Sequence, residues 1–459
     1  MENHFIEGNK VPEVYKEIVQ YLNTHKYIET LDVIDRLPKE VLWNSPALLN
    51  ALGIAYRGLS KPHASIRCYL RALKIESNSI TWANLGNAYK DANMVSSAIS
   101  AHKESINLSD VPTSTHWHNL GIALSIAGSH HAAIEAFNKS IEIDPSQHGI
   151  KWDLARSQLY IKDYSNGFNN YQYRWLMKDA PPRRVQGREW LGEAIKDNEP
   201  LFVYVEQGFG DYIHCSRYLD VLQKSVKTLS VEVKSELKDI MEASYPSVNF
   251  IDFDPKPRSL VDGWVVSILD LPRYFPAHHF TQASKYLQLP VKEINCQLEI
   301  PERYKEFKNI GIVWGGSLTF KRNQYRSTTA DKFIDSFNLP DVQLHSLQVG
   351  PMAAQVESLS DALVSKDLIS NVSNFCDTAQ VVKNLDLVIS TCTSVVHLCG
   401  ALGVPCWVLL DYSAHWLWGT TDKKSDWYSS LRFFRQPSPG DWRSVFDEAT
   451  VALMDWKRS

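Results

Sequence analysis

Three clusters in this 459-residue sequence combine residue types able to do chemistry. The first is Glu206-Gln207-Gly208-Phe209-Gly210-Asp211 with His214 three residues on. The second is Gly315-Gly316-Ser317 followed by the basic loop Lys321 to Arg326, and the third is Cys392-Thr393-Ser394 followed by His397. Asp211 and His214 put a carboxylate and an imidazole one helical turn apart, a pair suited to taking a proton from a hydroxyl. Lys321 and Arg326 are cations of the kind that stabilise charge gathering on a departing phosphate. Thr393 and Ser394 read as caps of a helix that carries His397 one turn in, which places hydroxyls and free amides at a positive helix end fit for a pyrophosphate.

Each cluster follows an apolar run that reads as a buried strand. Leu201 to Val205, Leu229 to Val233, Val248 to Ile251 and Trp264 to Ile268 alternate with helical stretches and predict a parallel, doubly wound sheet. Asn309 to Val313, Leu344 to Gln348, Leu385 to Ser390 and Val404 to Leu410 predict a second one, closed by a helix over 441–456. Ligands of such sheets bind beyond the carboxyl ends of the strands, where all three clusters fall. Asp211 reads as the N-cap of the helix carrying Ile213, Tyr218 and Leu222. Taken alone, Gly208-Phe209-Gly210 leaves several loops open. A dinucleotide fingerprint would want glycine where Ile213 stands, and a phosphate loop would want Lys-Ser/Thr where Asp211-Tyr212 stand.

The chain before these sheets is repetitive. Leu52-Gly53, Leu85-Gly86 and Leu120-Gly121 recur at separations of 33 and 35, and Trp82, Trp117 and Trp152 at 35 and 35. With Tyr89, Ala98, Ala133, Phe137 and Pro145 these residues resemble the tetratricopeptide repeat, in which paired helices bury a shared face only by stacking on the next pair. Repeats start near Pro46, Ile80, Thr115 and Gly149, with a degenerate one over 11–38. Asn84 and Asn119 stand two residues after their tryptophans; as amides they suit a peptide backbone, each offering both a donor and an acceptor. The equivalent positions hold Ala51 and Leu154. Asp179-Ala180-Pro181-Pro182-Arg183-Arg184 cannot continue a helix and marks a boundary. The expected organisation is a repeat domain over 1–178, a linker over 179–200 and two sheet domains over 201–300 and 301–459.

From about residue 170 onward the ordered motifs resemble bacterial proteins that join tetratricopeptide repeats to a heptosyltransferase-like glycosyltransferase. Those motifs are Tyr173-Arg174-Trp175, Glu206 to Asp211, Ser216-Arg217-Tyr218-Leu219, Thr393 to His397, Ser425-Asp426-Trp427-Tyr428 and Pro439-Gly440-Asp441-Trp442. The fold class implied is α plus α/β, a helical superhelix followed by a GT-B pair of Rossmann-like domains. The implied activity is inverting transfer of a sugar from a nucleotide-sugar donor, without a metal or other cofactor. Asp211 or His214 is then the base, and Gly315, Lys321, Arg326, Gln348, Thr393, Ser394 and His397 bind the donor. Asn84 and Asn119 would bind a protein or peptide acceptor. In one respect the chain departs from that pattern, with Cys392 where the family usually has Asp. A lipopolysaccharide or other glycan acceptor, and a non-catalytic peptide-binding scaffold, are the alternatives.

Composition bounds the rest. With 48 basic against 52 acidic residues there is no polyanion-binding signal, so a nucleic-acid partner is not expected. The seven cysteines are scattered and never spaced as C-x-x-C, which predicts neither a disulfide framework nor structural zinc, but small buried residues in a reducing, cytoplasmic setting. Neither a transmembrane segment nor a secretion signal is read from the apolar patterning.

Overall fold

The computed structural model describes residues 11–177, 180, 183–196, 198–206, 208–258, 262–275, 285–290, 298–320 and 322–458. The chain forms two compact units, bounded at Ile161 and Lys162.

The first unit is built from helices α1 (Val11–Asn23), α2 (Tyr27–Asp35), α3 (Lys39–Trp43), α4 (Pro46–Gly58), α5 (Pro62–Ile75), α6 (Ser79–Asp91), α7 (Val95–Asn107), α8 (Ser114–Ile126), α9 (His130–Ile143) and α10 (His148–Tyr160). The starts of α4, α6, α8 and α10 fall within a residue of the repeat starts read from the sequence. Local chemistry sets two of them: the Ser45 side chain accepts from Leu48 N ahead of Pro46, and Asn78 accepts from Thr81 N. Within each pair the helices cross at a glycine. A Cβ at Gly53, Gly86 or Gly121 would lie 2.4, 2.5 or 2.5 Å from the ring of Tyr69, His102 or Phe137. Each ring stands 16 residues after its glycine and is buried. A missing side chain on one helix thus makes room for a ring on the other, and the pattern repeats. The histidine at 102 is the irregular member. Burial pushes its pKa down to about 4, so it sits in the seam as a neutral ring.

The second unit opens with α11 (Tyr164–Tyr171) and a 3-10 turn over Gln172–Leu176. Its first sheet contains β1 (Arg188–Glu189), β2 (Leu201–Tyr204), β3 (Leu229–Val233), β4 (Asn249–Asp252) and β5 (Trp264–Ser267), in the order β1-β5-β2-β3-β4. Helices α12 (Phe209–Ser216) and α13 (Leu219–Ser225) follow β2, α14 (Ser235–Ser244) follows β3, and α15 (Leu271–Tyr274) comes after β5. The second sheet has β6 (Lys308–Val313), the short α16 (Asn323–Arg326), α17 (Ala330–Phe337), β7 (Val342–Ser346), α18 (Phe375–Lys383), β8 (Leu387–Thr391), α19 (Ser394–Leu402), β9 (Cys406–Leu410), β10 (Leu431–Arg435) and α20 (Trp442–Arg458). Its order is β10-β9-β8-β6-β7, and among the described residues each strand-to-strand pairing in both sheets is parallel.

The strand orders mark where such sheets open. In the first sheet β2 is flanked by β3 and β5, so the chain reverses its winding there; in the second, β6 is flanked by β7 and β8. The carboxyl ends of β2, β6 and β8 are therefore the switch points at which such sheets open a crevice. Two strands escaped the sequence reading. The two-residue β1 lies within 179–200, the stretch read as a linker, and edge strand β10 has the pattern Leu-Arg-Phe-Phe-Arg, with an arginine on each side of its Phe pair.

The glycine and ring pairing yields a test. Gly86→Ala forces a methyl into the His102 ring, and overpacking of this kind costs about 1–3 kcal/mol. The melting temperature should fall in Gly86→Ala, whereas Ala at the exposed Gly128, where nothing lies within 4 Å but φ is +76°, loses stability only through backbone strain.

Candidate functional site

At the end of β2 the chain turns into α12 with Gly208 as N-cap (φ −77°, ψ 171°), which places Asp211 in the first turn at the third helical position. The sequence reading of Asp211 as the N-cap is corrected here, because the glycine adopts the extended cap conformation and the aspartate reaches back. The carboxylate accepts from the backbone of Gly208 and from its own N–H. That is the returning half of a capping box. Burial raises the Asp211 pKa above the usual carboxylate range, against those two hydrogen bonds and the more distant charges of Arg326 and Lys234.

His214, one turn on, is buried. Its Nδ1 lies 3.2 Å from the Tyr428 hydroxyl, its Nε2 is buried with no hydrogen-bond partner among the described residues, and the Trp427 ring centroid stands 4.9 Å away. Burial, with Arg217 and two further histidines nearby, holds its pKa well below the ordinary imidazole value. It is a neutral ring in the interior.

The turn after β6 is shaped by contacts on both of its glycines. A Cβ at Gly315 would lie 2.1 Å from Met352 Sδ, and one at Gly316 would lie 2.3 Å from an Arg326 guanidinium nitrogen. Gln348 Oε1 accepts from Trp314 N (3.2 Å) and Gly315 N (3.0 Å), while its Nε2 donates to the carbonyls of Gly315 and Val349, both at 3.0 Å. An amide has two donors and two lone pairs, so Gln348 is fully engaged in holding the turn. Arg326 rests on the Phe320 ring (4.3 Å) and donates from Nε to Asn323 Oδ1 (3.3 Å), with one outer nitrogen beside Gly316. Lys321 lies outside the described residues.

At the end of β8, Thr393 occupies the N-cap position of α19, but its hydroxyl makes no capping bond; it pairs instead with Ser390 Oγ at 3.0 Å. Ser394 is the first residue of the helix and is half-buried. His397 sits one turn in, with Nδ1 3.0 Å from the Tyr428 hydroxyl and its ring 5.0 Å from Trp418. Burial, aided by His415, Arg217 and Arg326, pushes its pKa down to about 3. Cys392 accepts a hydrogen bond from Trp418 Nε1 at 3.1 Å, and burial raises its thiol pKa.

These pieces converge. Helices α12 and α19 pack together, and a Cβ on Gly210 would lie 2.8 Å from His397 Cδ2. Asp211, Arg326 and Cys392 are close enough to influence one another's charge. Asp211, Arg326 and His397 thus gather around the meeting of the two switch points, with Ser394 at the start of the helix that carries His397. Gln348 and the Thr393 hydroxyl support the turns from behind.

Asn84 and Asn119 lie elsewhere, on the face formed by the first helices of successive pairs. Asn84 Nδ2 donates to Asn50 Oδ1 at 3.0 Å, so its neighbour in the row is Asn50 and not the repeat-equivalent Ala51. The same stack of helices carries the pairs Arg57 with Asp91 (2.6 Å) and His118 with Asp153 (2.9 Å).

Residues 117–147 match the family model of the tetratricopeptide repeat. The chain is also similar to Protein FlbA of Caulobacter vibrioides, at 24% identity over 346 residues, covering 68% of this chain and 57% of FlbA. It therefore spans little more than half the length of that relative. Among solved structures, PilF of Pseudomonas aeruginosa matches with 18% identity over 38% of this chain and 77% of its own, at a TM-score of 0.33. MamA from Desulfovibrio magneticus RS-1 matches with 17% identity over 36% and 92%, at a TM-score of 0.32. The C-terminal part of a tetratricopeptide repeat protein from Cytophaga hutchinsonii gives 16% identity over 36% and 65%, at a TM-score of 0.31. The tetratricopeptide region is followed by two parallel-sheet α/β regions, and among the described residues no helix is long and apolar enough to cross a membrane.

Tyr428, Tyr286 and Arg217 were not singled out from sequence as site residues, although Arg217 and Tyr428 lie inside motifs noted there. Arg217 is buried, donates to the carbonyls of His214 (2.8 Å) and Trp427 (3.2 Å), and stacks on the rings of Tyr286 and Tyr428. An arginine after a predicted helix turn gives no sequence signal that it faces inward.

A carboxylate whose pKa is raised on folding contributes stability that is present below the unfolded value near ~3.9 and is lost as pH climbs through the folded value. Asp211→Asn should therefore melt close to the unsubstituted protein at pH 4 and at higher temperature at pH 7. Equal melting temperatures at both pH values would show that the Asp211 carboxylate carries no desolvation cost.

Proposed function

We propose that this chain is an inverting glycosyltransferase of GT-B architecture, moving a sugar from a nucleotide-sugar donor to a protein or peptide recruited by its tetratricopeptide repeats. One observation carries the reading: a half-buried carboxylate with a raised pKa, and a guanidinium near enough to act on its charge, follow strands at the switch points of two different parallel sheets. Asp211 takes the proton of the acceptor hydroxyl as its oxygen attacks the anomeric carbon. The bond to the nucleoside diphosphate breaks on the opposite face. Arg326, Lys321 and the amides at the start of α19 meet the charge that develops on the departing phosphates, so the positive charge for this step comes from the chain itself.

Asp211 is preferred over His214 as the base. Burial strengthens the basicity of a carboxylate that has access to the crevice, whereas His214 is enclosed, with its Nε2 unreachable by solvent. The repeat face supports a protein acceptor over a glycan, since paired amides and balanced ion pairs suit an extended backbone with mixed side chains.

A second reading, a peptide-binding scaffold with an inactive transferase half, draws on Cys392. A thiol held by Trp418 stands where the resembled family has a carboxylate.

Incubation of the full chain with a panel of nucleotide-sugars and a peptide library, with nucleoside diphosphate release as readout, separates the two. The transferase reading expects release with at least one donor, a kcat loss of about 10²-fold or more in Asp211→Asn, and a rise of roughly tenfold in donor KM in Arg326→Ala. Absence of donor binding across the panel, together with peptide capture that Asp211→Asn leaves intact, would favour the scaffold.

A further inference from the structure

Tyr428 ends the Ser425-Asp426-Trp427-Tyr428 segment, whose backbone is fixed by Ser425 Oγ accepting from Trp427 N (3.1 Å) and Tyr428 N (3.2 Å). The ring is fully buried against Gly400 of α19, where a Cβ would lie 2.4 Å from it. Its hydroxyl meets three partners: His397 Nδ1 at 3.0 Å, His214 Nδ1 at 3.2 Å and Tyr286 Oη at 3.5 Å. The Tyr286 proton is already directed at the Ile213 carbonyl, 2.9 Å away. The two histidines come from different sheets, so one hydroxyl joins the two halves of the crevice.

A hydroxyl has one proton. If it donates to one imidazole Nδ1, the other must donate to it, and the two rings carry opposite tautomers. The surroundings choose which. His214 Nε2 is buried without a partner among the described residues, and an orphaned N–H is rarer in proteins than an orphaned lone pair, so His214 carries its proton on Nδ1 and donates to Tyr428. Tyr428 then donates to His397 Nδ1 along the shorter contact. That leaves the His397 proton on Nε2, the ring atom that lies 3.2 Å from a Cβ built on Gly210, beside Asp211.

We propose that Tyr428 is a positioning residue that imposes opposite tautomers on His214 and His397, so that His397 offers a neutral Nε2–H donor to the phosphates of the nucleotide-sugar. The second clause rests on the glycosyltransferase reading; the first does not. The groups facing the pair from each packed element are Arg217, Tyr286, His415, Arg326 and the Trp416, Trp418 and Trp427 rings. The cations among them oppose protonation of either ring.

The test is long-range ¹H–¹⁵N correlation on the full chain labelled at histidine, with signals assigned through His214→Gln and His397→Gln. Expected are an Nδ1–H ring for His214, an Nε2–H ring for His397, and no titration of either between pH 5 and 8 on the order of physiological conditions. Tyr428→Phe should convert both to averaged tautomer shifts. Like tautomers in the unsubstituted protein overturn the proposal, and so do unchanged tautomers in a folded Tyr428→Phe; where that variant does not fold, the unsubstituted spectrum decides. Titration with uridine and guanosine diphosphates should move the His397 Nε2–H resonance, and Tyr428→Phe should weaken that binding by roughly tenfold. Opposite tautomers with no response to either nucleotide overturn the phosphate-facing clause together with the donor-binding reading, and leave the tautomer assignment standing.

Discussion

The close approach of α12 to α19 is the constraint on which the crevice depends. At Gly210 there is no room for a side chain, because His397 Cδ2 occupies the position 2.8 Å from where a Cβ would be. The same device recurs at Gly400, which admits the Tyr428 ring, and at Gly315 and Gly316, which admit Met352 and Arg326. At each point a glycine on one element lets a functional or supporting group from another come within contact distance. None of these four positions has a positive φ. Their glycines are required by space and not by backbone conformation, so a purely local reading of turn chemistry would misjudge them.

That distinction explains much of what the sequence did and did not reveal. Apolar runs bounded by glycine mark buried parallel strands, and β2 to β9 emerged from them with ends displaced by a residue or two. The repeat emerged from the recurrence of Leu-Gly and Trp, which are large and small partners in one seam. Side-chain direction was much less legible. Asp211 and Gly208 are both acceptable caps, and only the fold settles that the glycine takes the cap. Gln348 looks like a ligand group because it ends a strand near a glycine turn, yet each of its four hydrogen bonds is made to backbone. His102 fills a position where its repeat counterparts have Tyr69 and Phe137, a substitution that hydrophobic pattern matching passes over. β10 and β1 lie at sheet edges, where alternation is diluted by solvent-facing charge.

Charge is buried at the entry to the first sheet's turn in the second unit. Arg174, in the turn after α11, bridges Glu206 (2.5 Å) and Asp270 (2.6 Å), and Trp175 Nε1 reaches Asp270 as well. Two carboxylates share one guanidinium. Burial pushes the Glu206 pKa upward despite the ion pair, since Asp270 competes for the same cation, and the Ser267 hydroxyl donates to the Glu206 carboxylate. Breaking such a pair from one side is costly because it leaves a buried charge without its partner. The consequence is geometric: Glu206 immediately precedes the turn that presents Asp211, so Arg174 fixes the entry into that turn.

The other end of the same helical segment engages the second sheet. Lys162 lies 2.9 Å from Asp422 and 2.8 Å from Asp426, and Tyr164 and Phe168 pack edge-on against Trp427 and Trp416. Those two tryptophans flank His214, and Trp427 adjoins Tyr428. Residues 162–176 therefore span both halves of the crevice, ionic and largely enclosed at Arg174, aromatic and half-exposed at Lys162. An exposed pair such as Lys162 with its two aspartates contributes little by itself, and the rings beside it supply most of the attraction there. The buried triad sets position; the aromatic contacts maintain it. The sheets place Asp211 and Arg326 on separate elements, and this segment adds contacts to both halves beside the direct packing of α12 on α19. The helical segment thus ties together the elements that carry the candidate residues.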